Sequence, residues 1–144
     1  MSDQEDDVIR VISSIFTEIF ATFDLPVCIG IIDGQTGLVI TSEGDCPDIG
    51  LFEGQCASLI QTFVGVQTRF EASFGETLNL ITIEFSGLAY YVDNLVNTGA
   101  NLFLIAQSSF PDLLNKARPF LLNIVNKIEM MFEVATTQEN DTAN

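Results

Sequence analysis

The chain contains no histidine and no tryptophan, and only five of its 144 residues are lysine or arginine. Without histidine there can be no Ser-His-Asp triad, no imidazole general base and no histidine-bound metal. Five cations against 20 acidic residues make nucleic acid a poor partner, because binding phosphates requires clustered positive charge. The same acidity argues against attraction to anionic membranes. It favours solubility and a basic patch on a protein partner, or reflects a salty cytosol.

Motifs that hold nucleotides or activate a serine are also missing. The chain has no G-x-x-x-x-G-K-[ST] loop, no G-x-G-x-x-G run and no G-x-S-x-G elbow. Its one glycine-rich stretch, residues 33–37, lies between two predicted strands and so opens no helix onto a phosphate. We therefore expect no catalytic residue, no cofactor and no metal, and a protein that is not an enzyme.

Carboxylates are the remaining candidates for chemistry. The densest set lies before the middle helix, and its spacing does not match a calcium loop; it comprises Glu43, Asp45, Asp48 and Glu53. We interpret these as solvated loop acids, which leaves a hydrolase with paired carboxylates as the weakest hypothesis. Tyr90 and Tyr91 are adjacent on a predicted strand, so they point to opposite faces and are interpreted as packing residues.

The three cysteines, Cys28, Cys46 and Cys56, show no C-x-x-C spacing. Cys28 and Cys56 fall on apolar segments and are predicted to be small core residues, with Cys46 accessible and no disulfide formed. The first residues are acidic where a secretory signal would be basic, and no apolar run reaches the roughly 18 residues of a membrane span. We expect a cytoplasmic protein without membrane insertion.

Hydrophobic periodicity predicts helix, two strands, helix, three strands, helix. The predicted helices cover residues 4–23, 54–72 and 111–132, and the strands cover residues 27–32, 38–41, 77–85, 88–95 and 102–106. Residues 42–50 are predicted to be a loop, Gly75 to close the middle helix, and Pro119 to kink or start the last one. One domain is expected over residues 1–134, followed by a disordered tail at 135–144.

The middle helix has two distinct faces. Its predicted buried face is apolar and comprises Cys56, Leu59, Ile60, Phe63, Val66 and Phe70. Its other face has small or uncharged side chains and one cation, and comprises Ser58, Gln61, Thr62, Gly65, Thr68 and Arg69. A solvated face in so acidic a chain should carry carboxylates, so this face is predicted to meet another surface. Gln67 is the one polar residue near the centre of the apolar face, and it is predicted to bond strand backbone.

Four residues of this carboxylate-free face form a seam on the helical wheel. Ser58, Thr62, Gly65 and Arg69 follow one another at steps of four, three and four. Glycine costs about 1 kcal/mol against alanine inside a helix, a cost that is easier to explain if another backbone comes close. A second copy of the helix, antiparallel across a two-fold axis, would satisfy this. Alternatively, the glycine is simply tolerated and Arg69 is solvated.

The strand at residues 77–85 is a candidate sheet edge. It carries no proline or lysine to guard it, only Glu84 near its end, and unguarded edges tend to pair. With the seam it predicts one dimer interface that joins two sheets, to which the strand would contribute Leu78, Leu80 and Thr82.

The element order, the motif Gly30-Ile31-Ile32-Asp33-Gly34 with Gly37-Leu38-Val39, and the strand and helix at residues 102–132 resemble a roadblock domain. This group, also called roadblock/dynein light chain, is related to the longin fold, and the resemblance spans about residues 4–132. It implies an α/β (α+β) fold: a five-stranded antiparallel sheet with the middle helix on one face and both terminal helices on the other. Pro119 and the loop at residues 42–50 depart from the usual pattern.

The resemblance also implies a function. Roadblock domains form homodimers or heterodimers with a related chain through the middle helix and the adjacent strand. They regulate or scaffold small Ras-like GTPases, or serve motor and trafficking complexes. The leading hypothesis is therefore a non-enzymatic dimeric adaptor or regulator of such a GTPase. The alternative is a small-molecule sensor domain, for which Gln67 beneath the helix is the one polar hint.

Overall fold

The computed structural model describes residues 10–18, 27–98 and 101–142. Residues 10–18 form helix α1. The elements that follow are β1 (Val27–Asp33), β2 (Val39–Gly44), α2 (Ile49–Phe74), β3 (Leu80–Phe85), β4 (Leu88–Asn94), a 3-10 turn (Val96–Thr98), β5 (Leu102–Ser108) and α3 (Pro111–Thr142). The predicted order and the α+β class are confirmed. The predicted start and end of the first helix lie outside the described residues.

The five strands form one antiparallel sheet in the order β2-β1-β5-β4-β3. The β3-β4-β5 meander is as predicted, and β1 enters between β2 and β5, with Ile29 opposite Ala106. β3 lies at one edge of the described sheet and β2 at the other. The prediction that the strand after the middle helix is an edge strand is confirmed.

The sheet carries helices on both faces, as the resemblance implied. Successive residues of β4 show the alternation: Tyr91 packs in the cluster formed with α1 and α3, whereas Tyr90 packs in the cluster beneath α2. Phe52 of α2 lies over β1, where a Cβ atom at Gly30 would come 2.9 Å from its ring. That glycine therefore allows the helix to approach the strand closely.

Three predicted boundaries near the middle helix are wrong. β2 runs through Gly44 into the predicted loop, because Ser42 to Gly44 pair with Gly30 to Cys28 of β1. α2 begins at Ile49, since the Asp48 carboxylate accepts a hydrogen bond from the backbone N–H of Gly50 (3.2 Å). β3 begins only at Leu80.

The C-terminal ends of the two long helices, α2 and α3, differ in how well they match the predicted ends. Gly75 closes α2, as predicted: it adopts the left-handed conformation (φ 67°), and its N–H donates to the carbonyl of Glu71. α3 runs to Thr142, past the predicted end at residue 132, and Pro119 lies inside it and does not start it. That the domain ends at residue 134, with a separate tail after it, stays a prediction.

The prediction of three reduced cysteines is wrong. Cys28 and Cys46 form a disulfide, with their Cα atoms 4.7 Å apart. The chain is held there because Asp45 donates its N–H to the carbonyl of Val27 (3.1 Å), which brings the residue after it alongside β1. Cys56 is free and buried, as predicted, and burial and then Glu53 raise the pKa of its thiol to about 12.

Candidate partner-binding surface

α2 is much longer than the strands it covers. Its 26 residues span about 39 Å at 1.5 Å per residue, whereas a seven-residue strand spans about 23 Å. The buried residues of α2 all lie in its first 15 positions: Phe52, Cys56, Leu59, Ile60 and Phe63. The last 11 residues, 64–74, contain no buried side chain, and we call this segment the α2 overhang.

The α2 overhang exposes aromatic rings. Phe70 is 48% exposed and Phe74 is 67% exposed, and their rings stack with centroids 5.6 Å apart. Val66 is half-buried. The prediction that Val66 and Phe70 are core residues is therefore wrong, because the apolar periodicity of the helix continues where the sheet no longer lies beneath it.

A groove of about 640 Å³ runs between the first half of α2 and the β3–β4 hairpin. Its lining is mainly apolar: Gly50, Leu51, Gly54, Gln55, Ser58, Leu59, Thr62, Ile83, Phe85, Leu88 and Tyr90. Phe85 is 57% exposed and meets Tyr90 edge-to-face. The groove places two residues of the predicted seam, Ser58 and Thr62, beside the edge strand.

The predicted helix face lies in the open. Ser58, Gln61, Thr62, Gly65, Thr68 and Arg69 are all exposed. The hydroxyls of Thr62 and Thr68 donate to the carbonyls of Ser58 (3.0 Å) and Val64 (2.8 Å) on the helix itself. These threonines therefore present methyl groups without an unpaired donor.

Glycine is not required at this face by the protomer. A Cβ atom added at Gly54 or at Gly65 would meet nothing within 4 Å, apart from its own helix turn and chain neighbours. Both residues nevertheless carry the propensity cost of glycine inside a helix. Packing within the described protomer therefore does not explain why these two residues are glycine.

The β3 residues split between the two faces of the sheet. Leu80, predicted for the interface, is half-buried and packs against the cluster under α1 and α3, while Thr82 is exposed. Leu78 lies before the strand and packs against the α2 cluster. The side chains of β3 that line the groove are Ile83 and Phe85, which were missed because the sequence shows alternation without showing which face α2 covers.

The prediction that Gln67 bonds strand backbone is wrong. Its amide N–H donates to the carboxylate of Glu71 (3.3 Å), which also accepts the N–H of Leu78 (2.9 Å). The amide helps to fix the end of α2 to the chain that leads into β3. A different amide reaches the groove: Gln55 has a buried Oε1 atom that no described residue partners.

Of the described residues that line the groove, Tyr90 is the one with a titratable side chain. In the part of the chain that the structure describes, no three His, Cys, Asp or Glu side chains gather to hold a metal ion. The pKa of Tyr90, at the groove, is raised above its ordinary value of 10 by burial and then by Cys56. By its length and composition alone, α2 could cross a membrane, which contradicts the expectation from the sequence that no apolar run is long enough. Of its most apolar stretch of 18 residues, 28% is buried inside the protomer.

No family model matches the chain, and no curated protein matches it in sequence. Solved structures share its fold. MglB of Myxococcus xanthus is 14% identical with a TM-score of 0.68, over 88% of this chain and 90% of that one. The gliding protein MglB of Thermus thermophilus is 14% identical with a TM-score of 0.67, over 88% and 91%. MglB in a tetrameric arrangement is 12% identical with a TM-score of 0.55, over 84% and 92%. The roadblock resemblance is confirmed at the level of the fold.

Proposed function

We propose that this chain is a non-enzymatic adaptor or regulator of a small Ras-like GTPase, and that it works as a dimer built on α2 and the β3 edge. The observation that carries the proposal is the exposed face around Gly54 and Gly65. At both positions there is open space, so a larger side chain would meet no other part of the described protomer. A second backbone accounts for that space. The similarity of the fold to MglB and the roadblock resemblance support the functional class.

Charge distribution favours a second copy at this face over a highly charged partner. Residues 54–70 contain no carboxylate and a single cation, Arg69, in a chain with a net charge of −15. Two copies would repel each other most weakly where neither carries acid. The acidic residues elsewhere stay available to a basic patch on the GTPase.

The dimer is tested by solution mass across a dilution series. The chain should sediment at about twice 15.8 kDa, and Gly65→Leu should be monomeric with its fold intact, because the added side chain meets open space in the protomer. Gly65→Ala is the matched control: it raises helix propensity by about 1 kcal/mol with a smaller group and should weaken the dimer less. An equal mass for wild type and Gly65→Leu would contradict the dimer surface.

The GTPase part is tested separately with a purified small Ras-like GTPase from the same organism, loaded with GDP or with a non-hydrolysable GTP analogue. We expect binding that depends on the bound nucleotide, and no nucleotide turnover by the chain alone. Single-turnover hydrolysis and nucleotide release then distinguish activation, exchange and scaffolding. Absence of binding in both nucleotide states would contradict the GTPase role and leave the dimer standing.

A sensor role is the second candidate. The unpartnered Oε1 of Gln55 in the groove favours a small ligand that offers a hydrogen-bond donor within an apolar frame. Native mass spectrometry of the purified chain distinguishes the two candidates, since a retained metabolite would favour the sensor.

A further inference from the structure

We propose that the Cys28–Cys46 disulfide is a reversible redox switch for the start of α2 and for the groove beside it. When a dithiol reductant opens the bond, the first turns of the helix loosen from the sheet and the groove loses its shape. When the bond closes again, both are restored. The inference goes beyond the proposed function, because it concerns a single protomer and requires neither the dimer nor the GTPase.

The first step concerns what the disulfide holds. Cys28 is fully buried in β1, whereas Cys46 lies in the short segment between β2 and α2. Two residues after Cys46 comes Asp48, whose carboxylate caps the helix by accepting the N–H of Gly50. The disulfide therefore crosslinks the sheet to the chain immediately before the helix start. Opening the bond frees this segment, and the cap with it, to move away from β1.

The second step places the disulfide between the two walls of the groove. On the face of the sheet that α2 covers, one row of paired residues crosses all five strands: Gly44, Cys28, Gln107, Tyr90 and Ile83. The last two line the groove. At about 4.8 Å per strand, Cys28 lies about 10 Å from Tyr90 along this row. The helix wall of the groove begins with Gly50 and Leu51, shortly after the other half of the disulfide. The bond thus connects the sheet wall to the helix wall.

The third step concerns the costs that the crosslink offsets at the helix start. Gln55 on α2 and Gln107 on the sheet each bury a side-chain oxygen that no described residue partners. A buried acceptor without a donor disfavours the packing that buries it, because water would satisfy it. Gly50 and Gly54, in the first two turns, lower the helix propensity of the same stretch. Phe52, buried over β1, still anchors the helix when the bond is open, so the loosening stays local.

One of the two sulfurs belongs to a residue that solvent reaches. Cys46 is half-buried, whereas Cys28 has no exposed surface. A thiolate of the reductant therefore attacks the Cys46 sulfur, which forms a mixed disulfide and releases Cys28 as a thiolate that takes a proton from solvent. The second thiolate of the reductant then displaces Cys46, which is protonated in turn. Two electrons pass from the dithiol to the protein disulfide, and the reductant leaves as a cyclic disulfide.

The third cysteine does not disturb this cycle. Cys56 is a free thiol that packs in the same buried cluster as Cys28. Burial and then Glu53 raise the pKa of the Cys56 thiol to about 12, and a protonated thiol is a poor nucleophile. Exchange among the three cysteines is therefore slow, which leaves two defined states, oxidised and reduced.

The first test asks whether the bond opens in the folded protein. The chain is incubated with dithiothreitol at neutral pH without denaturant, alkylated with iodoacetamide and weighed by mass spectrometry. We expect two alkyl groups per chain, with Cys56 modified only after denaturation. Reduction should be at least about tenfold faster than global unfolding, whose rate is measured in urea and extrapolated to water. Reduction no faster than unfolding would overturn the switch, because the bond would then be a purely structural crosslink.

The second test measures what the bond controls. Hydrogen exchange is followed at residues 49–56 of α2 and 111–121 of α3 in the oxidised chain, in the reduced chain and after reoxidation. Oxidised glutathione serves as the oxidant and takes up the two electrons. We expect exchange at 49–56 to quicken at least about tenfold on reduction and to slow again on reoxidation, with less than about a twofold change at 111–121. Equal quickening in both helices, or none at 49–56, would overturn the inference.

Two matched variants separate the bond from its surroundings. Cys46→Ser forms no disulfide and should exchange at residues 49–56 like the reduced wild-type chain, with or without dithiothreitol. Cys56→Ala keeps the disulfide and should respond to dithiothreitol as the wild type does. Exchange in Cys46→Ser that matches the oxidised chain would overturn the switch. Because these measurements concern the protomer, failure of the dimer or of GTPase binding would leave them unaffected.

Discussion

The two faces of the sheet are covered by helices to different extents. On one face α1 and α3 bury a cluster in which Phe16, Tyr91 and Ile124 have no more than 1% of their surface exposed. On the other face a single helix buries residues of β1, β4 and β5, and it leaves Phe85 at the end of β3 57% exposed. We call these the closed face and the open face.

The difference separates stability from binding within one small domain. Apolar surface removed from water stabilises the fold by roughly 25 cal/mol per Å², and the closed face has obtained that contribution inside the protomer. Exposed apolar residues on the open face, such as Phe74 and Phe85, obtain it only when something else covers them. The closed face should therefore determine unfolding of the monomer, and the open face should determine assembly.

The largest expected effect breaks the closed face. Leu121→Ala removes a side chain that is 1% exposed, and it should lower the free energy of unfolding by about 2–5 kcal/mol. Leu51→Ala, on the groove of the open face and 57% exposed, should change it by less than about 0.5 kcal/mol. Urea unfolding in a Gly65→Leu background keeps dimerisation out of both measurements. Equal losses would contradict the division between the faces.

The second-largest expected effect concerns the disulfide near the start of α2, the helix that covers the open face. The Cys28–Cys46 disulfide ties β1 to the segment that carries Asp48, the cap of α2. Replacing both cysteines by alanine should lower the free energy of unfolding by roughly 2–4 kcal/mol, as is usual for a closed loop of this size. Hydrogen exchange should quicken in the first turns of α2 and not in α3.

Cys56→Ala is the control for this comparison, because its thiol is free and buried in the same cluster. It removes one buried atom without opening a crosslink and should leave exchange at the start of α2 unchanged. The same loss of protection in Cys56→Ala would show that packing of the cluster, and not the disulfide, holds that end of the helix.

The sequence predicted the closed face better than the open face, for a physical reason. A repeating apolar stripe indicates which side of a helix is covered, so the element order and the edge position of β3 followed from pattern and turn chemistry. The stripe does not indicate how far the cover extends, and Phe70 was therefore assigned to the core although the sheet has ended beneath it.

Long-range pairings were missed for a related reason. Cys28 and Cys46 are 18 residues apart, and their contact depends on β2 continuing to Gly44 through a stretch whose glycines and acids indicate a loop. The groove side chains Ile83 and Phe85 depend on which face α2 covers, which is a property of the assembled sheet. The carboxylate-free face of α2 was found because the absence of acidic residues is visible in the sequence itself.

The smallest expected effect tests a polar weak point of the closed face. Asp93 is buried on β4, where burial raises the pKa of its carboxyl to about 6, the hydrogen bond from Tyr91 (3.0 Å) lowers it and Glu129 raises it. A carboxyl whose pKa is higher in the folded state binds more protons there than in the unfolded chain between about pH 4 and pH 6. The contribution of Asp93 to stability should therefore fall as pH rises through this window and stay low above it.

Asp93→Asn should remove this part of the pH dependence, so that the difference in unfolding free energy between variant and wild type grows from pH 4 to pH 6 and then levels off. A pKa near 6 against an ordinary value of 3.8 corresponds to at most about 3 kcal/mol, which is below the upper limits of the two changes above. Asp112→Asn, at an exposed position in the first turn of α3, is the control for removing one acidic charge from the chain. Parallel pH profiles for Asp93→Asn and wild type would contradict this prediction, because they would mean that the closed face holds the Asp93 charge without a cost in stability. The cost of a buried charge would then not distinguish the closed face from the open face.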